Sequence, residues 1–264
     1  MLKDLTKEMF AMLRCEYPPI AIKFSFDMPE NTERIDKELA LCAFVREAQV
    51  LNKKFYITAE NENCVGRMIL GMIDPPPLEG SGIAGHDFGV FRTPAANARL
   101  YHSIPMLKRG AHNYVTFCPV SICDFDPDII IVIADVRQAD IIMRANSFIS
   151  GDLWESRDSH VLGCGWQFAY PYLSGKINHS TVGMHHGQKR RKPFPNGLQL
   201  ISIPYQKIDE VTGAMSEMDW VTIAFREDTE SKEELARRMA HWGELSSESV
   251  LSGNKSGGEL SEIR

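Results

Sequence analysis

The chain has 264 residues, enough for one large domain or two small ones, and its 44% hydrophobic and 24% charged content is that of an ordinary globular protein with a sizeable core. Its 29 Lys and Arg against 35 Asp and Glu give a formal net charge of -6, which removes the electrostatic reason to expect a nucleic-acid partner. The mixed-sign start Met1–Glu8 is unlike a signal peptide, and the apolar run Ile129–Ala134 is far short of the roughly 20 residues that span a bilayer, so a cytoplasmic protein without a membrane partner is expected.

In chain order, Leu5, Met9, Phe10, Met12 and Leu13 fall at helical spacing, which predicts a helix over 3–15 that stops before Pro18-Pro19. Residues 20–26 read as a strand, 39–51 as a helix carrying Cys42 and Arg46, and 54–58 as a second strand. Asn61–Asn63 turns the chain into Cys64-Val65-Gly66, after which 67–72 is helical. The Pro- and Gly-rich stretch from Pro75 to Gly85 is a loop, suited to a lid or a connection. Residues 95–107 are expected to be helical, 113–118 a strand ended by Pro119, and 128–134 a strand buried on both faces because its β-branched run is continuous. A helix over 138–148 follows, then a helix over 160–172, a strand over 176–182, the turn Gly183–Gly187, a strand over 198–203 and a terminal helix over 231–242. From Leu245 the Ser-, Gly- and Glu-rich tail lacks apolar residues to pack and is expected to be disordered.

Six cysteines (15, 42, 64, 118, 123 and 164) without a secretion signal argue for reduced thiols, and no CxxC pair is present. Four positions stand out because they recur. Cys42 opens a helix, a strand follows, and Cys64 stands two places before Gly66; Cys164 opens a helix, a strand follows, and His185 stands two places before Gly187. The spacings, 22 residues from Cys42 to Cys64 and 21 from Cys164 to His185, nearly match. The expectation is therefore a mixed α+β fold of two duplicated strand–helix–strand halves, about 17–115 and 116–210. Their mixed sheet would be covered by helices, within one domain running to 244.

If the halves pack about a pseudo-two-fold axis, Cys42, Cys64, Cys164 and His185 supply four metal ligands, the number an iron–sulfur cluster or zinc requires. Gly66 and Gly187 would permit positive φ and close approach of backbone N–H groups to the cofactor, with Arg46 as a further cofactor contact. At each position a blander alternative stays open: Cys42 as an inert core thiol, and His185 with His186 as part of a solvated basic loop. Cys118 and Cys123 read as buried thiols at a strand end, and Cys15 as structural. The remaining histidines show no i, i+4 pairing, and the basic run Lys189–Lys192 reads as charged surface, with an anionic ligand as the alternative. The glycines at 80–85 lack the Gly-Lys-Ser/Thr ending of a phosphate loop, and no Gly-x-Ser-x-Gly elbow occurs.

Pro18–Lys23, Cys42 with Ala48, Glu60 leading to Cys64–Gly66, Leu70-Gly71, Pro127–Ile131, Gly163-Cys164 and Ile203-Pro204, in that order, resemble the domain of unknown function 169 family over about residues 10–210. The resemblance implies a fold and a cysteine set, and no reaction. The family's second-half turn is Gly-Cys-x-Gly with a following arginine. Here it reads Gly183-Met184-His185-His186-Gly187 with Arg190 farther on, which leaves the fourth ligand open among His185, His186 and Met184.

The first functional expectation is a metal-dependent enzyme, an oxidoreductase or lyase, acting on a small-molecule substrate through an iron–sulfur cluster, with zinc as the alternative metal. The second is a non-catalytic small-molecule-binding or accessory protein whose cysteines only pack, with Tyr17, Arg46, Phe88, Phe91, Arg92 and Trp166 lining a pocket between the halves. A thiol nucleophile at Cys64 or Cys164 is a third. Association into a homodimer stays open.

Overall fold

A computed structural model describes residues 2–244; the tail from Leu245, and with it the expectation of disorder there, lies outside the described residues. The chain forms two compact units, one up to Met218 and a second from Asp219, a boundary inside the single domain that the sequence suggests. The second unit holds a 3₁₀ turn (Ile223–Phe225) and helix α10 (Thr229–Glu244), whose start is capped by the Asp228 carboxylate accepting the Ser231 N–H. No helix among the described residues is long and apolar enough to cross a membrane.

The first unit is built on a seven-stranded mixed sheet with the order β2-β3-β4-β1-β5-β7-β6. Its strands are β1 (Tyr17–Ser25), β2 (Glu33–Arg34), β3 (Phe55–Ile57), β4 (Tyr114–Pro119), β5 (Ile129–Ala134), β6 (Asn178–Thr181) and β7 (Gln199–Pro204). All neighbours are antiparallel except β2 and β3. The sequence pattern stops β1 short: the strand starts at Tyr17 and passes through Pro18-Pro19, where its register to β5 shifts between Tyr17 and Ile20. Prolines have no N–H to give a ladder, and the shift accommodates that loss.

Every residue of β5 is buried. Its neighbours β1 and β7 are both antiparallel, so the continuous apolar run records coverage of both faces. Ile129, Ile131 and Ile133 join Ile20, Ile22, Phe55 and Phe117 in a core closed by α2 (Leu41–Leu51) through Phe44 and Val45. Side chains alternate along a strand, so Ile130 and Val132 point to the opposite face, where α6 (Val136–Phe148) and α9 (Tyr205–Glu217) pack with α1 (Asp4–Met12). Helix α6 starts on a capping box, the Asp135 side chain accepting the Gln138 N–H at 2.7 Å and the Gln138 amide accepting the Asp135 N–H at 2.9 Å. Helix α9 is absent from the sequence expectations, although Ile208, Val211, Thr212, Ala214 and Met215, all buried, have the spacing of one helix face.

Outward from the central pair, β1 is flanked by β4, β3 and the edge strand β2, and β5 by β7 and the edge strand β6; β2, which lies between β1 and β3 in the chain, has no counterpart on the other side. On one side α2 leads to β3 and a short helix α3 (Gly66–Ile69) follows it. On the other, a π-helical turn (Gly165–Ala169) and α7 (Tyr170–Ser174) lead to β6, and α8 (His186–Arg191) follows. The stretch expected to be a lid holds a short helix, α4 (Ile83–Asp87), and α5 (Pro94–Tyr101) ends six residues sooner than its pattern suggests.

Candidate functional site

The turn after β3 is built by two polar residues that point inward. The Asn61 side chain accepts the Thr58 N–H at 3.0 Å and donates to the carbonyls of Ile35 and Lys37 at 2.9 and 3.0 Å, locking the turn. Glu62, fully buried, accepts three backbone N–H groups: Leu41 at 3.3 Å, Cys64 at 3.0 Å and Arg67 at 3.0 Å. One carboxylate thus ties the start of α2, where Cys42 sits in the first turn, to the Cys64 turn and the start of α3. Burial pushes its carboxyl up, and the three N–H groups oppose that shift.

The corner after β6 is built differently. Cys164 stands just before the π-helical turn, between two glycines that close packing requires: a Cβ on Gly163 would run into the His185 ring, and one on Gly165 into Ile104. His185 is buried, with Nε2 2.5 Å from the Asp158 carboxylate. Its Nδ1 lies 3.2 Å from both Gln188 Oε1 and Gln167 Nε2. Gln188 Oε1 also accepts the Gly183 N–H at 3.1 Å. Both ring nitrogens of His185 are therefore engaged within the protein.

These two corners meet at a cavity of about 320 Å³. Cys42, Cys64, Cys164 and His185 all line it, and so does Gly187. Arg190 and Arg191 add positive charge from α8, while Val65, Phe88, Val90 and Leu162 give it an apolar side. A hollow of about 550 Å³ beside Pro75–Pro77 is more open and has no cysteine in its wall. Burial pushes the Cys42 thiol up to about 11, against the pull of the Arg191 charge and together with the neighbouring Cys64 and Glu62. Cys164 keeps some surface toward the cavity but is surrounded by protein, and burial holds it well above the ordinary thiol range, with Cys42, Glu62 and Cys64 adding to the shift. Both are neutral thiols at pH 7 unless a metal displaces their protons. As they stand, no three Cys, His, Asp or Glu side chains among the described residues form a group that could hold a metal ion.

The remaining expected residues fall elsewhere or act otherwise. Arg46 does not reach this cavity: its guanidinium lies over the Tyr17 ring, 4.8 Å from the centroid, in a separate hollow with Lys192. Neither Gly66 nor Gly187 has positive φ. Gly66 is glycine for space, since a Cβ there would come within 2.6 Å of Leu41 and 2.9 Å of Glu62. At Gly187 a Cβ would meet only Arg191 Nη1, at 3.6 Å. The six residues expected around a common pocket do not share one. Phe88 lines the thiol cavity, Tyr17 the Arg46 hollow, Phe91 packs against His160 with the rings tilted, and the Trp166 N–H donates to Ser159 Oγ at 2.7 Å.

His186 lines the cavity, and Met184 is more than half exposed. Cys118 and Cys123 are buried together, Cys123 and burial pushing the Cys118 thiol up. Cys15 is pushed to about 11 by burial. Glu62, Asp158 and Gln188 are absent from the sequence expectations. For Glu62 a signal existed, an acidic residue two places before a cysteine at a helix start, where a carboxylate can collect free N–H groups.

The fold and this cavity define a mixed α+β protein with a thiol-lined pocket where two corners of its sheet meet. The chain belongs to the family of uncharacterised ArCR proteins, domain of unknown function 169, whose profile matches residues 8–213. No curated protein and no solved structure matches it.

Proposed function

We propose that the cavity is the working site and that Cys42, Cys64 and Cys164 hold a soft metal centre there, an iron–sulfur cluster before zinc, in an enzyme acting on a small molecule. The carrying observation is that three of six cysteines, from distant parts of the chain, line one cavity. Thiol donors suit this class of metal, and Arg191 favours the thiolate form of both Cys42 and Cys164. Three protein thiolates leave a coordination position for a substrate, and a bound cluster would supply electron transfer or Lewis acidity at that position. In this reading His185, held by Asp158 and the two glutamines, positions the wall and is the least available of the four candidate ligands.

With β2 set aside, the order β3-β4-β1 on one side mirrors β6-β7-β5 on the other, which favours the two halves as repeats of one unit. Six free cysteines suit a reducing compartment such as the cytoplasm.

The test is an optical spectrum with iron and acid-labile sulfide analysis of anaerobically purified protein, beside Cys64→Ser and Cys164→Ser. Iron with broad visible absorption, lost in both variants, is the expected result. A second reading, a metal-free binding cleft, is favoured by the high proton affinity of Cys42 and Cys164, and a folded protein without metal would sink the metal centre and leave this reading.

A further inference from the structure

The cavity wall carries a positive charge without an ion-pair partner. Arg191 is half-buried and lines the cavity beside Gly187, and no carboxylate pairs with it among the described residues. Three residues earlier on the same short helix, Gln188 is buried in the same wall. Its Oε1 is committed to the Gly183 N–H, which fixes the amide orientation, and its Nε2 has no protein partner. A buried amide donor without an acceptor costs stability, and a guanidinium without a carboxylate partner in the same cavity wall adds to the demand for an anion.

The rest of the lining narrows the anion's chemistry. Val65, Phe88, Val90 and Leu162 offer an apolar wall, and about 320 Å³ admits a compact body. Arg190 and Glu79 line the same cavity with opposite charges and the buried Glu62 stands behind the Cys64 turn, so Arg191 is left to meet one negative charge and a second on the ligand is opposed. We propose that this wall binds the carboxylate head of a small organic acid, with the Arg191 guanidinium and Gln188 Nε2 as donors and the apolar side of the cavity holding its body. The inference names the substrate class of the cavity in Proposed function and rests on that reading only for the site.

The experiment is calorimetric titration of the full chain with hexanoate, with hexanamide and inorganic phosphate for comparison, and with metal and sulfide measured on the same samples. Hexanoate is expected to bind, and neither the neutral amide nor phosphate to compete with it. Arg191→Gln is expected to weaken hexanoate about ten- to a hundredfold, Arg191→Lys by less, and Lys189→Gln, an equal charge change at an exposed position of the same helix, not at all. Circular dichroism on each variant separates lost binding from lost folding. No hexanoate binding to the folded wild type, equal binding by folded Arg191→Gln, or equal binding of the amide overturns the proposal. Hexanoate binding that depends on Arg191 in metal-free protein keeps this site and sinks the metal centre. Bound metal with hexanoate binding indifferent to Arg191 does the reverse.

Discussion

The corner after β3 and the corner after β6 border the same cavity, yet they handle polar groups in opposite ways. In the first, a single carboxylate, Glu62, collects three backbone N–H groups and the Cys64 side chain is left facing the cavity. In the second, His185 is engaged by Asp158, Gln167 and Gln188, and the unmet group is instead the Gln188 amide. Whether a side chain at such a corner is free to act depends on whether the surrounding groups have already claimed its lone pairs and protons.

The largest effect that would break this contrast is at Glu62. Glu62→Ala leaves three backbone N–H groups, one buried and two part-buried, without their acceptor and is expected to cost about 3–5 kcal/mol in denaturant unfolding, more than any single change at the second corner. A loss below ~1 kcal/mol would mean that the carboxylate does not hold the corner.

Next in size is a titration away from both corners. His112 is buried with its Nε2 unpartnered, and burial lowers its pKa to about 4 from the ordinary 6.5. Between those values the unfolded chain takes a proton that the native state refuses. Stability should thus fall as pH drops from about 6.5 to 4, by roughly 3 kcal/mol in all. Unfolding curves across that range should flatten in His112→Phe; an unchanged slope would assign the acid sensitivity elsewhere.

The two glycines sharpen the comparison directly. Gly66→Ala forces a methyl into Leu41 and Glu62 and is expected to cost about 1–3 kcal/mol, whereas Gly187→Ala makes only an ordinary contact and should change stability by less than about 1 kcal/mol, in the stabilising direction. Thermal melts of the two variants side by side decide it. The smallest effect is kinetic: in metal-free protein Cys42 should alkylate slowly at pH 7, with a rate that climbs toward pH 11, as mass spectrometry of iodoacetamide-treated samples would show.

Much of the architecture was legible because periodicity survives in the strands and long helices. The β-branched run of β5 and the face of α1 declare themselves, and the recurrence that begins at Cys42 and Cys164 picked out residues that line one cavity. The charged stretch 189–192 gave a weaker signal, because a helix of six residues is shorter than two turns and shows no periodicity, so Arg191 read as charged surface with an anionic ligand only as the alternative. Gly66 was read as a backbone device and proves to be a matter of space, which only neighbours distant in sequence can reveal. Asp158 lies 27 residues from His185, and nothing local announces their pairing.

The most direct test of the central claim is the iron and sulfide content of anaerobically purified Cys42→Ser, Cys64→Ser, Cys164→Ser and His185→Gln beside the wild type. The account predicts that each cysteine variant loses the metal while His185→Gln, folded, retains it. Metal lost with His185 as fully as with the thiols, or kept when any one of the three cysteines is replaced, would contradict a three-thiol centre.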